Sequence, residues 1–195
     1  MPRWVGVALL VAMVAVACGS DENGGNDAER TPSPEPTREG TPGDSAAIEL
    51  SSPAFEDGGD IPRGSTCDGT NASPSLRWSG VANDAVELAL LMEDPDAPAG
   101  VFVHWVAWAI DPALGELPQE TVPAGVVEGA NGAGQTGYLG PCPPGGDEAH
   151  RYVFTVYALS EPLQLPEGAS AEELRTAVEG KTLGVGVLTG RYARS

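Results

Sequence analysis

Apolar residues along this chain come in short runs separated by Gly, Pro, Asp and Asn. IELSS (48–52), VELALLM (86–92), VFVHWVAWAI (101–110), YVFTVYAL (152–159) and GVGVLTGRY (184–192) are rich in Val, Leu and aromatics and are bounded by turn formers. Their length and composition predict β-strands. VFVHWVAWAI is apolar at both alternating positions, which predicts a central strand covered on both sides. One segment has a different period. In SAEELRTAVEG (170–180), Ser170 and Glu173 have capping-box spacing, Leu174, Ala177 and Val178 share a helical face, and Gly180 is placed to end the turn series. Many short strands and one late helix predict a mainly β, two-layer domain. No internal repeat is visible.

The first 47 residues do not share this pattern. Residues 1–18, MPRWVGVALLVAMVAVAC, carry Arg3, an apolar run from Val5 to Ala17, and then Cys18. That run is short for a permanent membrane span and fits the hydrophobic region of a secretory signal. The stretch resembles a bacterial lipoprotein signal, in which the cysteine is diacylated and becomes the mature N-terminus. The alternatives are an ordinary signal peptide cut nearby or a buried helix. Residues 19–47 are rich in Gly, Pro, Ser, Thr and acids, with almost nothing apolar to offset chain entropy, so a disordered tether is expected there. The folded domain is then expected over 48–195, long enough to bury a core.

Charge and cysteines narrow the function classes. The formal net charge is −18 over 195 residues. Such a balance excludes a nucleic-acid partner, which needs a basic face, and electrostatic docking on anionic lipid. Any membrane contact is expected through a lipid anchor on Cys18 alone, which places the domain outside the cytoplasm. With Cys18 lipidated, Cys67 and Cys142 remain. An oxidising compartment permits a disulfide between them; two separate buried thiols are the alternative. The 26 glycines and 18 prolines require many turns.

Two histidines stand out. His104 lies mid-strand and by strict alternation shares a face with Phe102, Val106 and Trp108. His150 opens HRYVF, where His150, Tyr152 and Phe154 share a face, and it follows the stiff crossover GPCPPGGDEA (140–149). In DPDAP (94–98), Asp94 and Asp96 flank Pro95. They either bond turn amides or orient a histidine and fix its tautomer. DPDAP runs into the His104 strand and GPCPP into His150. If those two strands are neighbours, both imidazoles, the aspartates and Tyr152 face one hollow, with loop amides as added donors. Such a hollow suits a small anion, especially phosphate.

The series CDG (67–69), SPSLRW (73–78), DPDAP (94–98), HW (104–105), GPCPP (140–144) and HRYVFTVYAL (150–159) resembles the phosphatidylethanolamine-binding protein family, in its bacterial Raf-kinase-inhibitor-like branch. The resemblance runs from about Ile48 to Arg194. It implies a large antiparallel sheet with a smaller second sheet and one or two peripheral helices. It also implies a pocket for phosphate, acetate or phospholipid headgroups at Asp94, Asp96, His104, Gly140, Pro143, His150 and Tyr152, with Pro74 and Trp78 supporting its wall. The chain lacks the long insertion that animal members carry between DPDAP and the histidine strand, so their kinase-partner functions do not transfer.

Neither G-x-S-x-G, paired CxxC nor HExxH occurs. A binding protein without catalytic residues or cofactor is therefore expected. One alternative is a protein partner, as in an inhibitor of a kinase or protease. A less favoured alternative is a metal-dependent hydrolase using the Asp/His cluster.

Overall fold

The computed structural model describes residues 46–194. The signal segment, Cys18 and nearly all of the expected tether lie outside the described residues. The described part is a mainly β domain of two sheets. The larger has six strands: β1 (Ala46–Ala47), β4 (Glu87–Asp94), β5 (Phe102–Ile110), β7 (Val127–Glu128), β8 (His150–Leu159) and β9 (Thr182–Tyr192). The smaller has three: β2 (Glu49–Ser51), β3 (Leu76–Ser79) and β6 (Glu116–Leu117). Their orders are β1-β9-β8-β4-β5-β7 and β2-β3-β6. All pairings are antiparallel except the short β1–β9 contact, which is parallel. The first strand starts at Ala46, two residues ahead of the start expected from sequence.

β4 is the central strand, flanked by β8 and β5 and buried from Glu87 to Met92. Leu88, Leu90 and Met92 point toward the small sheet, where they meet Leu76, Trp78 and Leu117. Ala89 and Leu91 point the opposite way, toward Leu163 and α1 (Ala171–Val178). Each fully buried Leu contributes about 1.5–3 kcal/mol of transfer free energy, so both faces of β4 stabilise the fold. The helix forms where its spacing predicts. Ser170 Oγ accepts from Glu173 N, the Glu173 carboxylate accepts from Ser170 N, and Leu174 and Val178 bury against the sheet. Gly180 follows the helix at φ +72°, a left-handed conformation that glycine adopts without strain.

β5 departs from strict alternation. Stepping from Met92 to Glu93 on β4 corresponds to stepping from Trp105 to Val103 on β5, so His104 is the extra residue of a β-bulge. A bulge re-aims the side chains around it. Trp105 and Ala107 consequently join the core under the small sheet, whereas Val106 and Trp108 pack toward α1. The expectation that His104 shares a face with Val106 and Trp108 is corrected: His104 keeps company with Phe102 and Tyr152, at ring-centroid distances of 5.0 and 5.1 Å. A second irregularity in β5 falls between Ile110 and Ala107, with Ala109 at φ +56°.

Among the described residues, no helix is long and apolar enough to cross a membrane. Cys67 and Cys142 are bonded, with sulfurs 2.09 Å apart and Cα atoms 5.4 Å apart. Both are exposed.

Candidate functional site

The strands that carry the two histidines are not neighbours. β4 lies between β5 and β8, so the adjacency on which the sequence reading was conditioned does not hold. Neighbouring strands stand about 4.8 Å apart, so the intervening strand separates the histidine backbones by roughly 10 Å. Asp94, the last residue of β4, fills the position between them. Its carboxylate is buried at 4% exposure and satisfied on both oxygens. Oδ2 accepts from His150 Nδ1 at 2.8 Å, and Oδ1 accepts from Asp96 N at 2.8 Å, the turn-closing bond that an Asp two residues upstream supplies. The bond to Asp94 fixes His150 with its proton on Nδ1 and leaves Nε2, which lies 4.0 Å from Asp147 Oδ2.

His104 is held the same way by a different acceptor. Its Nδ1 donates to the Leu139 carbonyl at 2.6 Å, and its own carbonyl accepts from Leu139 N at 2.9 Å. Nε2 is again the free ring nitrogen. Burial disfavours the imidazolium and pushes the His104 pKa below its ordinary value; the Leu139 carbonyl and the Asp94 charge oppose that shift. Tyr152 lies wholly buried beside His104, with its hydroxyl directed toward the Asp94 carboxylate. Burial first, and then the Asp94 carboxylate through its charge and hydrogen bonding, raise the Tyr152 pKa, so it stays a neutral phenol.

A cavity of about 460 Å³ opens over this arrangement. Asp94, His104, His150, Gly140 and Pro143 line it, with Phe102 and Leu139 between them and Ala97–Val101 along one lip. The Cys67–Cys142 pair forms part of the wall. Among the described residues that line it there is no lysine or arginine. Its polar side chains are the Asp94 carboxylate and two imidazoles, set among largely apolar side chains. Neutral rings present lone pairs to a donor such as a protonated phosphate or an ammonium. Protonated rings donate to an anion.

A family model described as phosphatidylethanolamine-binding protein matches residues 51–193. The chain belongs to the phosphatidylethanolamine-binding protein family. It is 46% identical to a UPF0098 protein of Methanothermobacter thermautotrophicus over 152 residues, which is 75% of this chain and 99% of that one. It is 40% identical to the "Putative lipoprotein LppC" of Mycobacterium tuberculosis over 192 residues, 96% of this chain and 92% of that one. Among solved structures it is similar to Escherichia coli YbcL, described as a member of the mammalian PEBP family. That match has a TM-score of 0.72 and 29% identity and covers 77% of this chain and all of that one. The two-sheet architecture is that of the phosphatidylethanolamine-binding protein fold.

Within that fold the residues singled out from sequence separate into three groups. Asp94, His104, Gly140, Pro143 and His150 meet at the cavity. Tyr152 lies beneath its floor. Asp96 turns away: its carboxylate accepts from Arg151 N, Nε and Nη2 at 2.9, 2.9 and 2.7 Å. The guanidinium holds the Asp96 carboxyl down at about 2, well below the usual carboxylate range. Pro74 and Trp78 do not line the cavity. Trp78 lies in the small-sheet core and donates its indole N–H to the Pro112 carbonyl at 3.1 Å. The expected contribution of loop amides is also corrected at one point, because Gly140 N is already taken by Asn71 Oδ1 at 2.7 Å.

Sequence reasoning missed Asn71, the Leu139 carbonyl and the part played by Arg151. The Asp–Arg pairing had a signal, since Asp96 and Arg151 each follow a site residue within two positions. A backbone carbonyl has none. Among the described residues, no group of three or more His, Cys, Asp or Glu side chains is arranged to hold a metal ion.

Proposed function

We propose that this chain is an extracytoplasmic, non-enzymatic binding protein that takes a small anion or phosphorylated headgroup in the cavity between His104 and His150. The observation that carries the reading is the placement of two imidazoles on one cavity, each with Nδ1 tied to the protein and Nε2 left for a ligand. Asp94 keeps His150 in register. With no other cation on the wall, the attraction for an anion comes from imidazole protonation. The membrane attachment proposed is diacylation of Cys18. Support for it is the signal-like sequence and the alignment with the mycobacterial LppC over nearly the whole chain.

Calorimetric titration with inorganic phosphate and with phosphoethanolamine between pH 5.5 and 8 tests the binding reading. Anion binding favours protonated imidazole, so affinity is greatest in acid and falls as pH rises. The free pKa of His104 lies below its ordinary value. The decline therefore begins below the ordinary histidine range, near 6.5, and extends upward to the pKa of the complex. Affinity independent of pH across that range would refute the role given to the imidazoles. Cys18→Ser, with mass spectrometry of the mature protein, tests the anchor: the diacyl mass is lost and the protein leaves the membrane fraction.

A further inference from the structure

The strip Tyr138–Pro144 runs between His104 and the turn Ser65–Asn71. On one side, Leu139 exchanges two hydrogen bonds with His104, from its N to the His104 carbonyl and from His104 Nδ1 to its own carbonyl. On the other side four links join the strip to the turn. Tyr138 Oη donates to the Ser65 carbonyl at 2.6 Å, Gly140 N donates to Asn71 Oδ1 at 2.7 Å, Cys67 N donates to the Pro141 carbonyl at 3.1 Å, and Cys67 is bonded to Cys142. The fit is close: a Cβ on Gly140 would stand 2.6 Å from the Ser65 carbonyl oxygen. Asn71 itself sits at φ +61°, a conformation asparagine tolerates better than most residues. The Leu139 carbonyl is thus held from behind, and it is the atom that determines which nitrogen of His104 carries the proton. Of the four links, the disulfide is the one that solution chemistry can open, because both its cysteines are exposed.

We propose that the turn Ser65–Asn71 is a positioning element that fixes the ring orientation of His104, and the tautomer of its neutral form, through Leu139, and that the Cys67–Cys142 bond makes this positioning, and through ring orientation the anion affinity of the cavity, responsive to thiol–disulfide exchange. The affinity clause rests on the function proposed above; the tautomer clause does not. In the chemical step a dithiol reductant attacks one sulfur as its thiolate and forms a mixed disulfide. Its second thiol then closes on the first, releasing two cysteine thiols. Two electrons and two protons pass to the protein, and the reductant leaves as a cyclic disulfide. From Cys142 to Ala149 every residue but Pro143 is exposed, and Gly146 N to the Arg194 carbonyl, at 3.2 Å, is the far anchor of that stretch. Opening the covalent link therefore releases the strip at its downstream end.

The test uses the full chain with 15N-labelled histidine, before and after treatment with a dithiol, and with thiol titration to establish that both sulfurs are reduced. In the oxidised protein His104 shows a single neutral tautomer with the proton on Nδ1. After reduction it shows a tautomer mixture, and calorimetry with inorganic phosphate at pH 6 shows affinity roughly tenfold weaker, the scale expected when a residue that orients a ligand-binding histidine is lost. The Cys67→Ser/Cys142→Ser double variant reproduces both changes, and Asn71→Ala in the oxidised protein reproduces the first. His150 is held by Asp94 on a different strand pair and keeps its spectrum, which makes it an internal control. An unchanged His104 spectrum with both thiols free overturns the proposal, as does an equal change at His150, which would mean general loosening. Should the variants not fold, reduction of the folded parent protein still decides. If phosphate binds neither form while the His104 tautomer shifts on reduction, the positioning role stands and the anion reading falls.

Discussion

β4 begins and ends with a buried carboxylate, Glu87 at 6% exposure and Asp94 at 4%. The two ends of this one strand treat the same functional group differently. Asp94 has an imidazole on one oxygen and a turn amide on the other. Glu87 accepts from Leu163 N at 3.3 Å through Oε2, and its Oε1 has no partner. Burial accordingly raises the Glu87 pKa, and the backbone at Ala109 and Leu163, and then the Lys181 charge, only partly counter it. A buried carboxylate is costly unless its lone pairs are met. Meeting them at Asp94 produces an oriented histidine at a cavity. Leaving one unmet at Glu87 produces a group that folding would rather keep protonated. Burial of an acid therefore does not by itself mark a site; the partner does.

The comparison is broken most directly at Asp94. Asp94→Ala leaves His150 Nδ1 and Asp96 N without their acceptor, so it should destabilise the fold by about 3 kcal/mol and abolish anion binding. Urea denaturation and calorimetry measure the two effects. Comparable stability to the parent would show that Asp94 is no better paired than Glu87. Glu87→Gln should have the opposite character. It removes the charge that burial penalises, so at pH 7 stability stays within about 1 kcal/mol of the parent or rises. The sign follows from the raised pKa. The stability linked to this proton is fully present below the ordinary carboxylate range and is lost as pH rises through the folded-state value. The gain of the variant over the parent should therefore shrink in acid, and a gain that grows in acid would contradict the assignment.

His104 supplies a sharper version of the contrast at the cavity end. Its folded-state pKa is depressed, so the stability linked to its neutral form is present above about 6.5 and is lost as pH falls through the folded value. His104→Phe should flatten that acid limb in thermal unfolding followed from pH 7 to 5. The smallest effect is expected at Asp96, whose ion pair with Arg151 is half open to solvent. Its carboxyl is lowered to about 2, so its contribution persists above pH 4 and disappears between pH 4 and 2. Asp96→Asn should remove that component of the stability curve while leaving phosphate binding close to the parent. A loss as large as that of Asp94→Ala would return Asp96 to the cavity.

Much of the fold was legible because its signals are local. The five apolar runs became β2, β4, β5, β8 and β9, although only three residues of the first are strand, and the Ser170–Glu173 spacing marked the helix start to the residue. The remaining strands, β1, β3, β6 and β7, have at most four residues each and owe their pairing to tertiary neighbours. SLRW carried no alternation long enough to read. The cavity was legible as a set of residues rather than as a geometry. The bulge at His104 depends on register against β4, which strict alternation cannot foresee. The interposition of β4 between the histidine strands is a matter of topology. Asp94 and Asp96 are alike in DPDAP; what separates their roles is that Arg151 stands opposite one and His150 opposite the other.

The chain joins the large sheet at one end of β9, where Ala46 and Ala47 pair with Gly184 and Val185, and the cavity lies toward the other end, past Tyr192. From Val185 to Tyr192 the strand rises roughly 23 Å, at about 3.3 Å per residue. The attachment point at Ala46 therefore lies at the end of the sheet away from the cavity. An attachment made beyond Arg194, which pairs with Gly145 of the crossover, crowds the opening. Immobilisation for ligand screening, or fusion to a reporter, belongs on the N-terminal side.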